Sequence, residues 1–292
     1  MMELAPGAAA AGVGLIACET IGSTNAEALS YARVGEKGPL WITAREQTAG
    51  RGRRGRTWVS QRGNLFATLL LTDPAPPERA AQLSFVAALA VHDAIAAQAP
   101  ALARRLAFKW PNDVLLASVP AKWTPVRRQG HAPMDDSGTP PDSAGTGGVL
   151  EGAKVAGILI EAEGTRPLMT AIGIGINCRH HPAATDYPAT DLAEAGAAVT
   201  VEELFKALSI AMVDRLREWE AGFASIRAAW LGLAGSLGGE LRVRLGARDL
   251  TGRFETLDEA GRLMLRLADG ALETIAAGEV FPVAPAATAV GR

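Results

Sequence analysis

Short continuous apolar runs alternate along the chain with longer stretches whose apolar residues recur every three or four positions. Residues 40–44 (LWITA) and 64–72 (NLFATLLLT) are apolar runs of strand length, the mark of core strands. Residues 16–20 read as a further short strand, and 105–116 (RLAFKWPNDVLL) as strand, turn, strand, with Pro111 and Asn112-Asp113 supplying the turn. Residues 154–161 (KVAGILIE) and 171–177 (AIGIGIN) are strands with glycines inside them. Gly173 and Gly175 fall on one face of the second strand and leave that face bare, so a ligand or a packed helix can lie there.

Helical spacing covers residues 25–33, 78–98 and 201–232. Thr24 and Glu27 have capping-box spacing for the first of these, which accounts for Ser23 and Thr24 as well as ligand binding does. Trp219 and Trp230 read as core residues, and His92 as a helix-surface or packing residue. After residues 235–239 (GSLGG) the rhythm changes to short strands at 241–245, about 250–256, 262–267 and 271–275, separated by Gly- and Asp-bearing turns. That spacing predicts a small β-barrel, closed by residues 276–280. Residues 117–150 are rich in Pro, Gly, Ser, Thr and Asp and read as a mobile insertion. Residues 1–15 are Ala/Gly-rich without a basic segment and read as a flexible leader, not a signal peptide.

The chain has 292 residues, 48% of them apolar, which allows one large domain and a small one. A net charge of −2 argues against a general nucleic-acid binder. Two cysteines far apart make neither a disulfide framework nor a zinc spacing and fit a reducing cytoplasm. The pair His180-His181 has no carboxylate or cysteine at ligand spacing, so no zinc-type site is expected there. No apolar run reads as a membrane span.

Residues 50–58 (GRGRRGRTW) depart from this balance. Five arginines against one glutamate give residues 45–58 a local charge of +4. Glycines let a backbone approach a ligand closely, and guanidinium forks hold carboxylates and phosphates in bidentate geometry. A disordered RNA-binding segment and a solvated surface turn have similar composition. The apolar strands on either side place the segment within the folded body, where a cationic loop folding over a small anion accounts for it best.

Together, Ser23-Thr24-Asn25, Gln47, residues 50–58, 109–113 (KWPND), 154–161 and 173–177 (GIGIN) resemble biotin protein ligases, in the family's own order. The resemblance implies an α+β fold: a mixed-sheet catalytic domain of the biotin/lipoate ligase type over 16–235, then a small SH3-like β-barrel over 238–284. It implies that biotin and MgATP give biotinyl-5′-adenylate, and that biotin passes to a lysine of a biotin carboxyl carrier domain. Carried over residue by residue, Ser23, Thr24, Asn25, Gln47, Arg51, Gly52, Arg53 and Trp58 bind biotin, with Gly157, Gly173 and Gly175 leaving room for it. Arg54, Arg56, Lys109, Asn112, Asp113 and Asn177 bind ATP, with Asp113 as a candidate Mg²⁺ ligand. Lys154 bridges biotin and ATP as the central catalytic residue, helped by Arg51 and Arg53. Only about 22 residues precede Ser23, too few for an N-terminal winged helix, so neither DNA binding nor a repressor function is expected. A lipoate protein ligase is the nearest rival, but it lacks the arginine loop. The expected state is a monomer or weak homodimer.

Overall fold

The computed structural model describes residues 1–117, 152–183, 185, 187–246 and 248–283. The insertion expected at 117–150, with Trp123, Arg127 and Arg128, lies outside the described residues apart from Ala117.

In chain order the first part runs α1 (Pro6–Ala10), β1 (Gly14–Ile21), α2 (Thr24–Arg33), β2 (Leu40–Gln47), β3 (Leu65–Thr72), α3 (Pro77–Ala80) and α4 (Leu83–Gln98). It continues through β4 (Leu106–Lys109), β5 (Asp113–Leu116), β6 (Ala153–Glu163), β7 (Met169–Ile176), α5 (Val201–Ala221) and α6 (Phe223–Leu231). The strands form one seven-stranded sheet in the order β1-β2-β3-β7-β6-β5-β4. β1 and β2 are parallel and every other pair is antiparallel. The last part is all strand: β8 (Glu240–Leu245), β9 (Arg248–Leu257), β10 (Leu263–Arg266), β11 (Leu272–Ile275) and β12 (Glu279–Pro282). These form a separate antiparallel sheet in the order β11-β10-β9-β8-β12, the small barrel that the turn spacing predicts.

Alternation along the central strands sorts side chains to two faces. Leu65, Ala67 and Leu69 of β3 and Ile172, Ile174 and Ile176 of β7 join the main core with α4, α5 and α6. Leu70 and Ala171 turn to the other face, where they pack with Ala28, Leu29 and Ala32 of α2. Gly173 and Gly175 share that second face by the same alternation, so the bare strip lies on the side of α2. Trp219 and Trp230 are both fully buried in the main core, as expected.

Four expectations change. Residues 1–15 are no loose leader: Met2, Ala5, Ala8 and Val13 are buried in the main core, and the Ala5 N–H donates to Ser209 Oγ at 2.9 Å. Alanine-rich composition hid a docked turn of helix whose small side chains fit closely against α5. The single helix expected over 78–98 divides into α3 and α4. Residues Pro77–Gln98 also pass for a membrane span by length and composition, contrary to the first expectation. Their burial inside the fold, most of it within α4, identifies them as core. Finally, the Thr24 capping box does not form: Ser23 is the N-cap, and its side chain makes no capping hydrogen bond.

Candidate active site

The bare strip opens into a cavity of about 440 Å³ bounded by α2, the arginine loop, the turn between β4 and β5, β6, β7 and the barrel strand β12. Seventeen of the eighteen residues expected to bind line it; Arg54 does not.

The arginine loop is a narrow hairpin. Arg51 bridges Thr57, the Gly52 N–H donates to Arg56 O at 2.7 Å, and the Trp58 N–H donates to Gly50 O at 2.9 Å. Every arginine of the loop is anchored. Arg51 meets Glu161 of β6 at 3.3 Å. Arg53 donates to Asn112 Oδ1 at 3.2 Å and to Gly278 O at 3.4 Å, which ties the loop to the β4–β5 turn and to the barrel. Arg54 and Arg56 both pair with Glu279 of β12, Arg54 at 3.1 Å. Burial pulls the Arg53 guanidinium below its ordinary pKa, with Arg54 and Arg56 adding to the effect and Asp113 opposing it.

Trp58 lies over β7. A methyl at Gly175 would stand 2.6 Å from its indole, and one at Gly157 would stand 3.0 Å from both the indole and Lys154. A methyl at Gly173 would collide with Asn25 Oδ1. The packed helix anticipated for the glycine strip is present at Gly173, where α2 lies, and the Trp58 ring covers Gly175.

On the α2 side the polar groups are buried and linked. The Thr24 N–H donates to Gln47 Oε1 at 2.8 Å, and Gln47 Nε2 donates to Ser60 Oγ at 2.9 Å. Asn25 Nδ2 donates to Glu161 Oε2 at 2.8 Å.

On the β4–β5 side two lysines share one carboxylate. Lys154 Nζ lies 2.6 Å from Asp113 Oδ1, and Lys109 Nζ lies 3.4 Å from Asp113 Oδ2. Burial pushes the Asp113 carboxyl up, but the two lysines together more than offset this and hold it below its ordinary range. Burial lowers the Lys109 pKa, with Lys154 and Arg56 adding to it and Asp113 opposing it. Lys154 also faces the Trp58 ring at 5.1 Å, and Lys109 faces the Tyr187 ring at 4.8 Å. Asn112 is pinned to β6: its Nδ2 donates to Ile158 O at 2.7 Å, and its own carbonyl accepts from the Ile158 N–H. Asn177 spends its amide on Thr190 O at 3.0 Å and Lys154 O at 3.5 Å, so it shapes the wall from a buried position.

Both carboxylates that line the cavity are spent on cations: Asp113 on two lysines, Glu279 on two arginines. Asp113 is the partner of Lys154 and Lys109 here, and a Mg²⁺ carried in with a nucleotide would compete with both lysines for it.

Tyr187, Glu279 and Phe281 line the cavity without having been singled out from the sequence. Tyr187 sits in an irregular segment, Glu279 in the stretch that read only as closing the barrel, and Phe281 just beyond that stretch. Outside the cavity, the fold brings Asp191 to 2.7 Å and Glu194 to 3.8 Å from His181, a grouping that local spacing concealed. His92 contacts Asp93 and packs against Phe108, as a packing residue should.

The chain is similar to known proteins along most of its length. Residues 18–177 match the Biotin/lipoate A/B protein ligase family, and residues 236–281 match the Biotin protein ligase C terminal domain. The chain is 41% identical over 272 residues to the biotin–[acetyl-CoA-carboxylase] ligase of Paracoccus denitrificans, covering 89% of this chain and 96% of that protein. Among solved structures it resembles the Aquifex aeolicus biotin protein ligase in complex with biotin and ATP, with a TM-score of 0.69, 25% identity, and coverage of 92% and 97%. It also resembles the Leishmania major biotin protein ligase in complex with biotinyl-5-AMP, with a TM-score of 0.56, 26% identity, and coverage of 90% and 99%. With its α+β fold, its cavity between sheet and arginine loop, and these matches along its length, the chain belongs to the biotin/lipoate protein ligase family.

Proposed function

We propose that this chain is a biotin protein ligase of the biotin–[acetyl-CoA-carboxylase] ligase type. A carboxylate oxygen of biotin attacks the α-phosphorus of ATP; pyrophosphate leaves, and biotinyl-5′-adenylate forms. The ε-amine of a carrier-domain lysine then attacks the acyl carbon, AMP departs, and an amide results.

The observation that carries this reading is the Lys109–Asp113–Lys154 cluster, which faces the arginine loop across one cavity. The first step brings two anions together, and cations aimed at the developing charge lower its barrier. Lys154, between the Trp58 wall and Asp113, bridges the biotin carboxylate and the α-phosphate in this reading. Lys109, Asn112 and Arg56 serve the nucleotide side. An arriving triphosphate exchanges with Glu279 for Arg56. Arg54, which does not line the cavity, is left out of the contacting set. Magnesium enters as part of MgATP, and no step is assigned to it.

Ser23, Thr24, Asn25 and Gln47 hold the ureido ring, and Trp58 covers the apolar body of biotin. Arg51 and Arg53 keep the loop shut over the mixed anhydride and exclude water. The biotin carboxyl carrier domain as partner follows from the same reading. Cys18 and Cys178 are both free, and burial pushes the Cys178 thiol up to about 12, so an inert buried thiol suits the cytoplasmic setting proposed here.

The test is incubation with radiolabelled biotin, MgATP and a biotin carrier domain. Label on the carrier and release of pyrophosphate are expected. Faster turnover with lipoate than with biotin would place the chain with the lipoate ligases instead.

A further inference from the structure

Thr68 lies on β3, fully buried, opposite Gly173 of β7, and belongs to none of the motifs that define the site. Its hydroxyl oxygen is 2.6 Å from Asn25 Oδ1 and 2.8 Å from Thr24 Oγ1. A hydroxyl carries a single proton, so it donates to only one of these two.

The neighbours decide which. Asn25 Nδ2 reaches Glu161 Oε2 at 2.8 Å and Leu159 O at 3.3 Å. A carboxylate and a carbonyl only accept, so the amide nitrogen faces them and Oδ1 faces Thr68. Asn25 is buried, and among the described residues Thr68 is the side chain that donates to its Oδ1. An unmet buried carbonyl is costly, so the Thr68 proton goes to Asn25.

Thr24 is then left with two places for its own proton: Thr68 Oγ1 at 2.8 Å or Gln47 Oε1 at 3.1 Å. Gln47 cannot turn over, because its Oε1 accepts the Thr24 N–H at 2.8 Å and its Nε2 donates to Ser60 Oγ, whose proton goes to Trp58 O. In either case the Thr24 proton is spent inside the protein. What Thr24 presents to the cavity it lines is a lone pair.

We infer that Thr68 is a positioning residue that sets the hydrogen-bond polarity of this end of the cavity, making Thr24 an acceptor that selects a ligand with an N–H group there, as a cyclic urea has. The inference rests on the placement of the ureido ring proposed above. Without the Thr68 hydroxyl, Asn25 Oδ1 loses its donor and the Thr24 proton keeps only the longer, 3.1 Å contact to Gln47 Oε1, so it is held away from the cavity less firmly.

The test compares Thr68→Val, Thr68→Ala, Thr68→Ser and Thr24→Val by steady-state pyrophosphate release. Thr68→Val is expected to raise KM for biotin by about tenfold, with KM for ATP and kcat within about threefold of the parent. Thr68→Ala removes the hydroxyl without adding bulk and repeats the measurement if the valine variant misfolds. Thr68→Ser keeps the hydroxyl and is expected to restore the parent KM. A damaged strand would disturb both substrates and would not be rescued by serine. An unchanged biotin KM in Thr68→Val, an equal rise for ATP, or failure of serine to rescue overturns the inference. If Thr24→Val raises the biotin KM while Thr68→Val does not, only the role of Thr68 falls. If Thr24→Val leaves it unchanged, the ureido placement falls, and this inference with it.

Discussion

Lys154 Nζ and Asp113 Oδ1 lie 2.6 Å apart, and the carboxylate that holds Lys154 also holds Lys109. Two neighbouring ammonium groups repel, and Asp113 between them offsets that repulsion. In the proposed reaction an incoming phosphate, with more charge than one carboxylate, would take Lys154 over from Asp113.

Lys154→Ala is therefore expected to remove most adenylate synthesis. Contacts aimed at developing charge are worth on the order of 3–4 kcal/mol, or roughly 100- to 1000-fold in rate. Single-turnover formation of biotinyl-adenylate measures this directly. Near-normal formation by a folded variant would move the chemistry away from Lys154.

The same cluster gives the reaction an alkaline limit. Lys109 is pulled below its ordinary value of 10.5, by burial first, so it loses its proton earlier than a solvated lysine does. A rate that depends on this cation falls as pH rises through the lowered pKa. Asp113 opposes the lowering, so Asp113→Asn is expected to move the alkaline limb to lower pH. The acid side has the opposite logic. The Asp113 carboxyl sits below its ordinary 3.8, so the stability from its pairing is present above that value and is lost as pH falls through the lowered one. Rate profiles for pyrophosphate release check the first point. Identical alkaline limbs in the parent and Asp113→Asn would exclude Lys109 as the titrating group.

The strands that build the site were legible because continuous apolar runs survive in any context. The cavity residues were legible because they cluster in short motifs: residues 50–58 and 109–113 each bring several contacts in one stretch. What escaped was long-range. Glu279 reaches Arg54 and Arg56 from the barrel, and Tyr187 reaches Lys109 from an irregular segment. No local pattern encodes such meetings. Thr24 shows a second kind of miss: its spacing to Glu27 suits a cap, but tertiary hydrogen bonds to Gln47 and Thr68 take its hydroxyl instead.

Gly175→Ala tests the aromatic wall. The added methyl would stand 2.6 Å from the Trp58 ring, closer than two carbons approach, so the indole must move. Overpacking of this kind typically costs about 1–3 kcal/mol, and here it falls on the wall of the cavity. KM for biotin is expected to rise about tenfold or more, with a shift in tryptophan fluorescence. A parent-like KM would show that Trp58 does not cover biotin.

Removing residues 1–12 tests the docked N-terminus. The deletion takes Met2, Ala5 and Ala8 out of the core and strips Ser209 of the Ala5 N–H. Lost burial of this size is worth roughly 2–3 kcal/mol, so Tm should fall by several degrees. KM for biotin should not change, since none of these residues lines the cavity. An unchanged Tm would return the segment to the status of a loose leader.

Residues 119–148 provide the last test. The strands on either side of them are already neighbours: β5 and β6 pair antiparallel, with Leu116 opposite Ala153. A short turn can therefore join them without moving either strand. Closing a long loop costs only a slowly growing entropy, so shortening it should not harm folding. Lys154 lies beyond the cut, and its backbone is fixed independently: its N–H donates to Pro188 O at 2.7 Å, and its carbonyl accepts from the Thr190 N–H at 3.0 Å. Deletion of 119–148 with a short Gly/Asn turn in its place is expected to leave adenylate synthesis and the KM for carrier unchanged. A raised carrier KM with intact adenylate synthesis would instead give the segment a docking role. Loss of adenylate synthesis would show that Lys154 depends on it.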